Sequence, residues 1–407
     1  MTRNMYRLLR RVIKSGNVAI EQRASFYSPK QELVTLPENV RIADYRSDTF
    51  SKPSWEMRRM MYEAKVGDDV YGEDPTVREL EVKGAKMLGK ETALFVPSGT
   101  MSNLLALMSH SHTRGCEIIV GDESHIIVWE QAGAAQIAGV QLRTVLNQPD
   151  GTFDIKDMLT KVRDNNSMFH PKTTLVCIEN THNTCGGRIL PLNWIKELST
   201  VLKDLQIPLH LDGARFFNAV VKSGLAPDVM AEGCDTVNIC LSKGLGAPMG
   251  SLLIGSEETI FKARLLRKAL GGGMRQIGLV AAAGIYALDH MVERLKEDHA
   301  HTYNIAKAIH EMKSDVVFVD LESVETNILL IKLDTTKVTA DLFCKRLALV
   351  TEDEMKGNEP ASVKMFPWNS STARLVVCCN NTPEDEHVTI KKLQRVIWEY
   401  ENGIFLV

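Results

Sequence analysis

A lysine, an aspartate, a histidine and a Ser-Gly-Thr turn stand in this chain where apolar runs end. Lys243 follows the run Val237–Leu241 in CLSKGLGAPMGS, and Asp212 follows Leu209–Leu211 in LHLDGAR. Ser98, Gly99 and Thr100 follow Ala93–Val96 and open a helical stretch, and His125 closes GDESH after Ile119–Val120. Each type has a use. An amine can bond an aldehyde, and a carboxylate can hold a protonated ring nitrogen. Hydroxyls and free amides at a helix start bind phosphate, helped by the helix dipole. An imidazole can stack on a flat ring. Together these groups suit one phosphorylated aromatic aldehyde, pyridoxal 5'-phosphate.

Each piece alone has a plainer role. Ser-Gly-Thr turns are common, an aspartate after a strand is often a helix cap, and most lysines and histidines are solvated or packed. The weight lies in their joint occurrence, with Asp212 and Lys243 at the ends of successive strands and little side-chain bulk around Lys243. Competing motifs are weak. GLGAPMG lacks the third glycine of a dinucleotide fingerprint because Met249 takes its place, and neither GxxxxGK[ST] nor HExxH occurs. His182 and Cys185 alone make a poor metal pair, and no metal is expected.

These residues need a sheet that brings strand ends together. Candidate strands are Ala93–Val96, Glu117–Val120, Leu142–Leu146, Thr174–Glu179, Leu209–Asp212, Val237–Leu241 and Ser251–Ile254, with helices at Met101–Ser109, Glu130–Ala138 and Leu192–Asp204. Such alternation predicts an α/β domain with a mostly parallel sheet, whose ligands bind outside the carboxyl ends of its strands. A helical pattern over Gln276–Lys296 leads to a smaller α+β unit. There the pattern predicts a helix at Ile305–Met312, a strand at Asn327–Leu333, a helix at Ala340–Leu347, a strand at Arg374–Cys378 and a last helix after Pro383. The division reads as a leader over 1–31, a large cofactor-binding domain with an N-terminal arm over 32–290, and a small C-terminal domain over 291–407.

The 407 residues carry 48 Lys+Arg against 51 Asp+Glu, a balance with no electrostatic call for nucleic acid or an acidic membrane surface. Eight cysteines without a CxxC pair read as reduced thiols in an intracellular compartment. The uncharged stretch Thr92–Thr113 is long enough to span a membrane, but its Pro97, Ser98, Gly99, Thr100, Ser102 and Asn103 read as strand, turn and helix. From Met1 to Lys30, seven cations face one acid, Glu21, with Met5, Leu8, Leu9, Val12 and Ile13 at helical spacing. That leader resembles a mitochondrial presequence, so the matrix is the expected location. A basic extension on a cytosolic protein is the other reading.

The ordered strings RSDTFSKP (Arg46–Pro53), VGDDVYGEDPT (Val66–Thr76), FVPSGTMSN (Phe95–Asn103), IENTHN (Ile178–Asn183), LDGARFFNA (Leu211–Ala219), SKGLGAPMGS (Ser242–Ser251) and GGGMRQ (Gly271–Gln276) resemble low-specificity threonine aldolases. Those are pyridoxal phosphate enzymes of fold type I. The resemblance is dense from about Val40 to Asp298 and looser beyond. It implies the PLP-dependent transferase fold, and cleavage of L-threonine or L-allo-threonine to glycine and acetaldehyde. It also implies a homo-oligomer built as a dimer of dimers that share active sites.

By the same resemblance, Lys243 bonds the cofactor aldehyde, Asp212 partners the ring nitrogen, and His125 stacks on the ring. Gly99 and Thr100, after Ser98, match the phosphate turn. Ser47, Arg215 and Arg374 hold the substrate carboxylate. Arg275 reaches a neighbouring subunit's phosphate, and Tyr71 lies in a similarly shared loop. His125 either takes the β-hydroxyl proton or only supports the ring and positions a water. Trp129 stands where several relatives carry Tyr, and Glu352–Ser371 is longer than in the family. The alternatives are another fold-type I activity, such as β-elimination or transamination, and an idle interaction protein that keeps the fold.

Overall fold

Residues 37–164 and 168–406 are described in a computed structural model of the chain. The expected basic leader, Met1 to about Gln31, lies outside them.

After β1 (Arg41–Asp44) the chain builds a seven-stranded sheet. Its strands are β2 (Thr92–Val96), β3 (Cys116–Gly121), β4 (Gln141–Val145), β5 (Lys172–Glu179), β6 (Leu209–Gly213), β7 (Thr236–Cys240) and β8 (Ser251–Gly255). All seven expected strands are present, in the order β2-β8-β7-β6-β5-β3-β4. Strands β3 to β7 pair parallel, while β8 runs antiparallel to both β7 and β2. The carboxyl ends of β2, β3, β5, β6 and β7 therefore share one edge. Every residue of β6 and β7 is buried, including the polar His210, Asp212, Thr236 and Asn238 that alternate with their apolar residues, so the polar positions must find partners inside the protein.

Leu192–Asp204 forms as expected, burying Ile195, Leu198 and Leu202 along one stripe. The helix expected at Met101–Ser109 spans Gly99–His110, and its cap, Ser98, accepts the Met101 amide through Oγ. Thr92–Thr113 is thus a strand, a turn and a helix. Among the described residues, no helix is long and apolar enough to cross a membrane.

The helix expected at Glu130–Ala138 does not form as one element. A short helix at His125–Val128 gives way to Gln131 and Ala132 at φ 51° and 54°, and then to a π-helical turn at Ala134–Ala138. Two left-handed residues cannot continue a right-handed helix, and Glu130 before them is buried against Asn103 and His125. The Gln276–Lys296 pattern also divides, into a helix at Gly278–Tyr286, a π-helical turn at Ala287–Met291 and a helix at Leu295–Glu311. The last absorbs the helix expected from Ile305, because no glycine or proline interrupts it.

The C-terminal part adds β9 (Val317–Phe318), β10 (Ile328–Leu333), β11 (Ala361–Lys364), β12 (Phe366–Asn369) and β13 (Thr372–Val376). Four of them form an antiparallel sheet in the order β12-β13-β10-β9, while β11 pairs in parallel with β1. Both β11 and β12 fall within Glu352–Ser371, for which the sequence pattern predicts no strand. One apolar core surrounds the large sheet. A second gathers Ile305, Phe343, Leu375 and Leu393 and takes in Ala43 and Tyr45 from the arm. The arm is thus anchored beside the small sheet, and the chain leaves that anchor directly into Ser47 and Asp48.

Candidate active site

Asp212 lies near the end of β6 with its carboxylate fully buried. Oδ2 accepts from Asn103 Nδ2 at 2.8 Å, and Oδ1 accepts from Asn238 Nδ2 at 3.0 Å and the Ala214 amide at 3.1 Å. Asn238 is its directly paired residue on β7, and Asn103 comes from the Gly99–His110 helix. Burial alone would raise this acid. The fields of His125 and Lys243 and the Asn103 hydrogen bond outweigh it and hold the acid below its ordinary range. An ionised carboxylate thus stands at the sheet edge.

His125 follows β3. Its amide donates to Glu179 Oε2 at 2.7 Å, and its Nδ1 meets Glu130 Oε1 at 2.9 Å. Burial disfavours the imidazolium, but the Glu130 hydrogen bond and the Asp212 field prevail and raise the His125 pKa. His125, Glu130 and Asp212 each place one ligand atom within 4.8 Å of the others, a spacing that could suit a cation. Hydrogen atoms from Asn103, Asn238 and His125 already point at these carboxylate oxygens, so the donor set is spent on the protein itself.

Behind Asp212 the polar contacts continue. Asn103 Oδ1 meets His210 Nε2 at 3.1 Å, His210 Nδ1 meets Thr236 Oγ1 at 2.9 Å, and Thr236 Oγ1 meets His110 Nε2 at 3.1 Å. Burial pushes His110, His210 and, elsewhere, His299 down to about 4. Unfolded, these histidines take up protons near pH 6.5, but in the fold only near pH 4. The unfolded chain therefore binds more protons across that window, and stability falls as pH drops through it. Asp298, raised to about 6 by burial, acts in the opposite sense, and His125 acts above the window. Each unbalanced proton costs about 1.4 kcal/mol per pH unit. Urea unfolding of the cofactor-free protein is expected to show a lower midpoint at pH 5 than at pH 7. An equal or higher midpoint at pH 5 would mean that the histidines are already charged in the fold.

Lys243 occupies the bend between β7 and β8. Its carbonyl accepts from Gly246 N at 2.8 Å and Ser51 Oγ at 2.9 Å, and Gly246 supplies the left-handed φ of 77° that closes the turn. Among the described residues its amine has neither a hydrogen bond nor an ion pair, although Asp48 and Asp212 both feel its charge. At the end of β2, the Gly99 and Thr100 amides begin a helix and have no partner within it. A Cβ at Gly99 would stand 2.5 Å from Cys240 Sγ, so only glycine lets this turn lie against the end of β7.

The two arginines differ. Arg215 is closed on Asp48 by two bonds of 2.7 Å, with Asn183 Oδ1 at 3.2 Å, and Asn327 also donates to Asp48 at 3.2 Å. Arg374 on β13 is buried; among the described residues it has no ion pair and its Nε no hydrogen-bond partner, and its guanidinium lies 4.7 Å over the Trp368 ring. Burial and the nearby Arg215 push it down to about 10. Trp368 meets Trp129 at 5.5 Å. Ser47 caps the turn Asp48–Phe50 and accepts from Thr49.

Tyr71 and Arg275 lie outside this cluster. Tyr71 is 77% exposed, and Arg275 pairs with Asp68 at 2.8 Å with its side chain 55% exposed. Their loops adjoin, since Asp69 N donates to the Arg275 carbonyl. The Gly271–Gly273 segment passes Met101 in the first turn of the Gly99–His110 helix.

The profile of the beta-eliminating lyase family matches residues 44–360. The chain is 41% identical to low-specificity L-threonine aldolase 1 of Arabidopsis thaliana over 88% of its own length and 97% of that protein's. The chain belongs to the beta-eliminating lyase family, among the low-specificity threonine aldolases. The low specificity L-threonine aldolase of Escherichia coli K12 is 43% identical over 74% of this chain and 87% of that protein. In fold, this family member superposes on the threonine aldolase of Leishmania major with a TM-score of 0.70 at 20% identity, covering 87% of this chain and 99% of that one.

Several residues of the family member's site carry no sequence motif of their own. Asp48, Asn103, Glu130, Glu179 and Asn327 are ordinary polar residues until the fold buries them. The strings that bear the family resemblance include Asp48, Asn103 and Glu179, and that was their one available signal.

Proposed function

We propose that this chain cleaves L-threonine and L-allo-threonine to glycine and acetaldehyde with pyridoxal 5'-phosphate as cofactor. The observation that carries the reading is the juxtaposition, at the ends of neighbouring strands β6 and β7, of a buried carboxylate that accepts three hydrogen bonds and an amine with no partner among the described residues. The residues fit the cofactor. Lys243 would bond its aldehyde, Asp212 would keep a proton on its ring nitrogen, and Ser98, Gly99 and Thr100 would take its phosphate at a cradle that a Cβ would fill. When bound, the cofactor supplies an electron-withdrawing ring that stabilises negative charge at the substrate Cα.

The rest is the work of the protein. Arg374 offers a buried guanidinium with no anion of its own among the described residues, which suits the substrate carboxylate and would orient the molecule. Arg215, tied to Asp48, adds its charge nearby. Because His125 Nδ1 is committed to Glu130, Nε2 is the nitrogen left to accept the β-hydroxyl proton, and a raised pKa strengthens it as a base.

Initial rates on each threonine stereoisomer, with acetaldehyde and glycine as products, test the activity. Pyruvate and ammonia from serine, without acetaldehyde from threonine, would favour β-elimination instead. In the same assay Arg374→Ala is expected to raise KM by roughly 10- to 100-fold, as loss of one charged hydrogen-bonding partner implies.

Exposed Tyr71 and Arg275, on adjoining loops beside the phosphate turn, support a homo-oligomer with shared sites. Mixing inactive Lys243→Ala and Arg275→Ala proteins is then expected to restore activity, since a mixed dimer holds one site with both residues intact; recovery of none would refute sharing. The basic leader supports import into mitochondria, which a reporter fused to residues 1–31 would reveal by its location. The separate core around the small sheet supports a domain division near residue 290.

A further inference from the structure

The carboxylates of Asp212 and Glu130 approach each other in a buried pocket, and one amide stands between them. Asn103 Nδ2 donates one hydrogen to Asp212 Oδ2 and the other to Glu130 Oε1, each at 2.8 Å. An amide that turned over would set its oxygen against two carboxylates. The carboxylates thus choose which way the amide faces, and the group that meets its oxygen lies on its far side. We propose that His210, held neutral with its hydrogen on Nε2, is a positioning residue that locks the Asn103 amide and through it keeps Asp212 ionised for the cofactor ring nitrogen. This rests on the cofactor assignment above.

Each hydrogen in the array has one consistent place. Asn103 Oδ1 can only accept, so His210 Nε2 must donate to it. His210 Nδ1 is then bare and must accept from the Thr236 hydroxyl. That leaves the Thr236 oxygen to accept from His110 Nε2. From His110 to the two carboxylates the direction of donation is set throughout. His210 is fully buried, and burial keeps it uncharged near neutral pH. The titratable groups that act on Asp212 from the surrounding elements are His125, Lys243 and His210, which favour its charge, and Glu130, which opposes it.

Without the amide, two like charges at this spacing would share a proton. A proton on Asp212 would remove the partner of the ring-nitrogen cation. A strand-end aspartate capped by its own turn would need none of this, but here Asp212 and His210 of β6, with Glu130 from the loop after β3, hold one amide in one orientation.

The test is made on the holoenzyme loaded with pyridoxal phosphate carrying 15N in its ring, read by NMR at neutral pH without substrate. In His210→Leu the ring resonance is expected to move toward the unprotonated position. kcat should fall roughly tenfold, the equivalent of one pKa unit at Asp212, with KM within about threefold of wild type. His210→Gln, which keeps a donor near the Nε2 position, is expected to restore both. Thr236→Val, a mild change within a strand, frees the tautomer and should shift the resonance in the same direction by less. An unmoved resonance in folded His210→Leu and Thr236→Val would overturn the proposal, as would a Gln variant as impaired as the Leu variant. Failure of the wild type to cleave threonine would sink the activity reading alone, because the ring signal is read without turnover.

Discussion

Lys243→Ala is expected to yield a folded protein that no longer forms a borohydride-reducible bond to the cofactor. Its kcat should fall by on the order of 10³-fold or more, as for loss of a covalent and proton-moving group together. The fold has little reason to suffer. The bend at Lys243 is held by its carbonyl, which receives Gly246 N and Ser51 Oγ, and alanine keeps that carbonyl. The amine makes no hydrogen bond or ion pair among the described residues, so its removal leaves no partner stranded. Peptide mapping of the reduced wild-type protein should place the label on residue 243. A label on another lysine, or an alanine variant that retains the reducible bond, would refute the assignment.

Asp48→Asn should be the most damaging substitution for stability among the site residues. Asp48 is fully buried and neutralises Arg215 through two hydrogen bonds of 2.7 Å, and its charge also acts on Arg374, which has no ion pair among the described residues. Removing the carboxylate leaves two guanidinium groups facing each other out of water. Breaking a buried pair from one side typically costs about 3–5 kcal/mol, which is a large part of a domain's whole stability. Urea unfolding at pH 7 measures it. Sulfate should recover more of the loss in Asp48→Asn than it adds to the wild type, because the two guanidinium groups then lack the anion that neutralised them and favour binding one. A variant within about 1 kcal/mol of wild type would show that Arg215 finds another partner.

The sequence reveals the large sheet and its edge well because short runs rich in Val, Ile and Leu recur between helical stretches, and chemistry-bearing residues stand at or just after the ends of β2, β3, β6 and β7. Lys243, Asp212, His125 and the Ser98–Thr100 turn are legible for that reason. Long-range pairing is less so. Nothing local to Asp48 reports that it will close on Arg215, 167 residues away, and nothing near Asn103 reports that it will divide two carboxylates. The break at Gln131 and Ala132 is missed because both are ordinary helix formers, and only the burial of Glu130 makes the left-handed turn worthwhile. Strand β12, which carries Trp368 to Arg374, is hidden by Pro367 and by a bulge in its pairing with β13.

The parallel union of β1 with β11, across some 320 positions of chain, orders events at the ribosome. Ser47 and Asp48 are made long before the strand that anchors them, and until that strand emerges the Asp48–Arg215 pair has no settled frame. A nascent chain can therefore finish its large sheet, as early domains do, before that pair is held in place. On the roles proposed above for Arg215 and Arg374, a partly made polypeptide would have no grip on an amino acid.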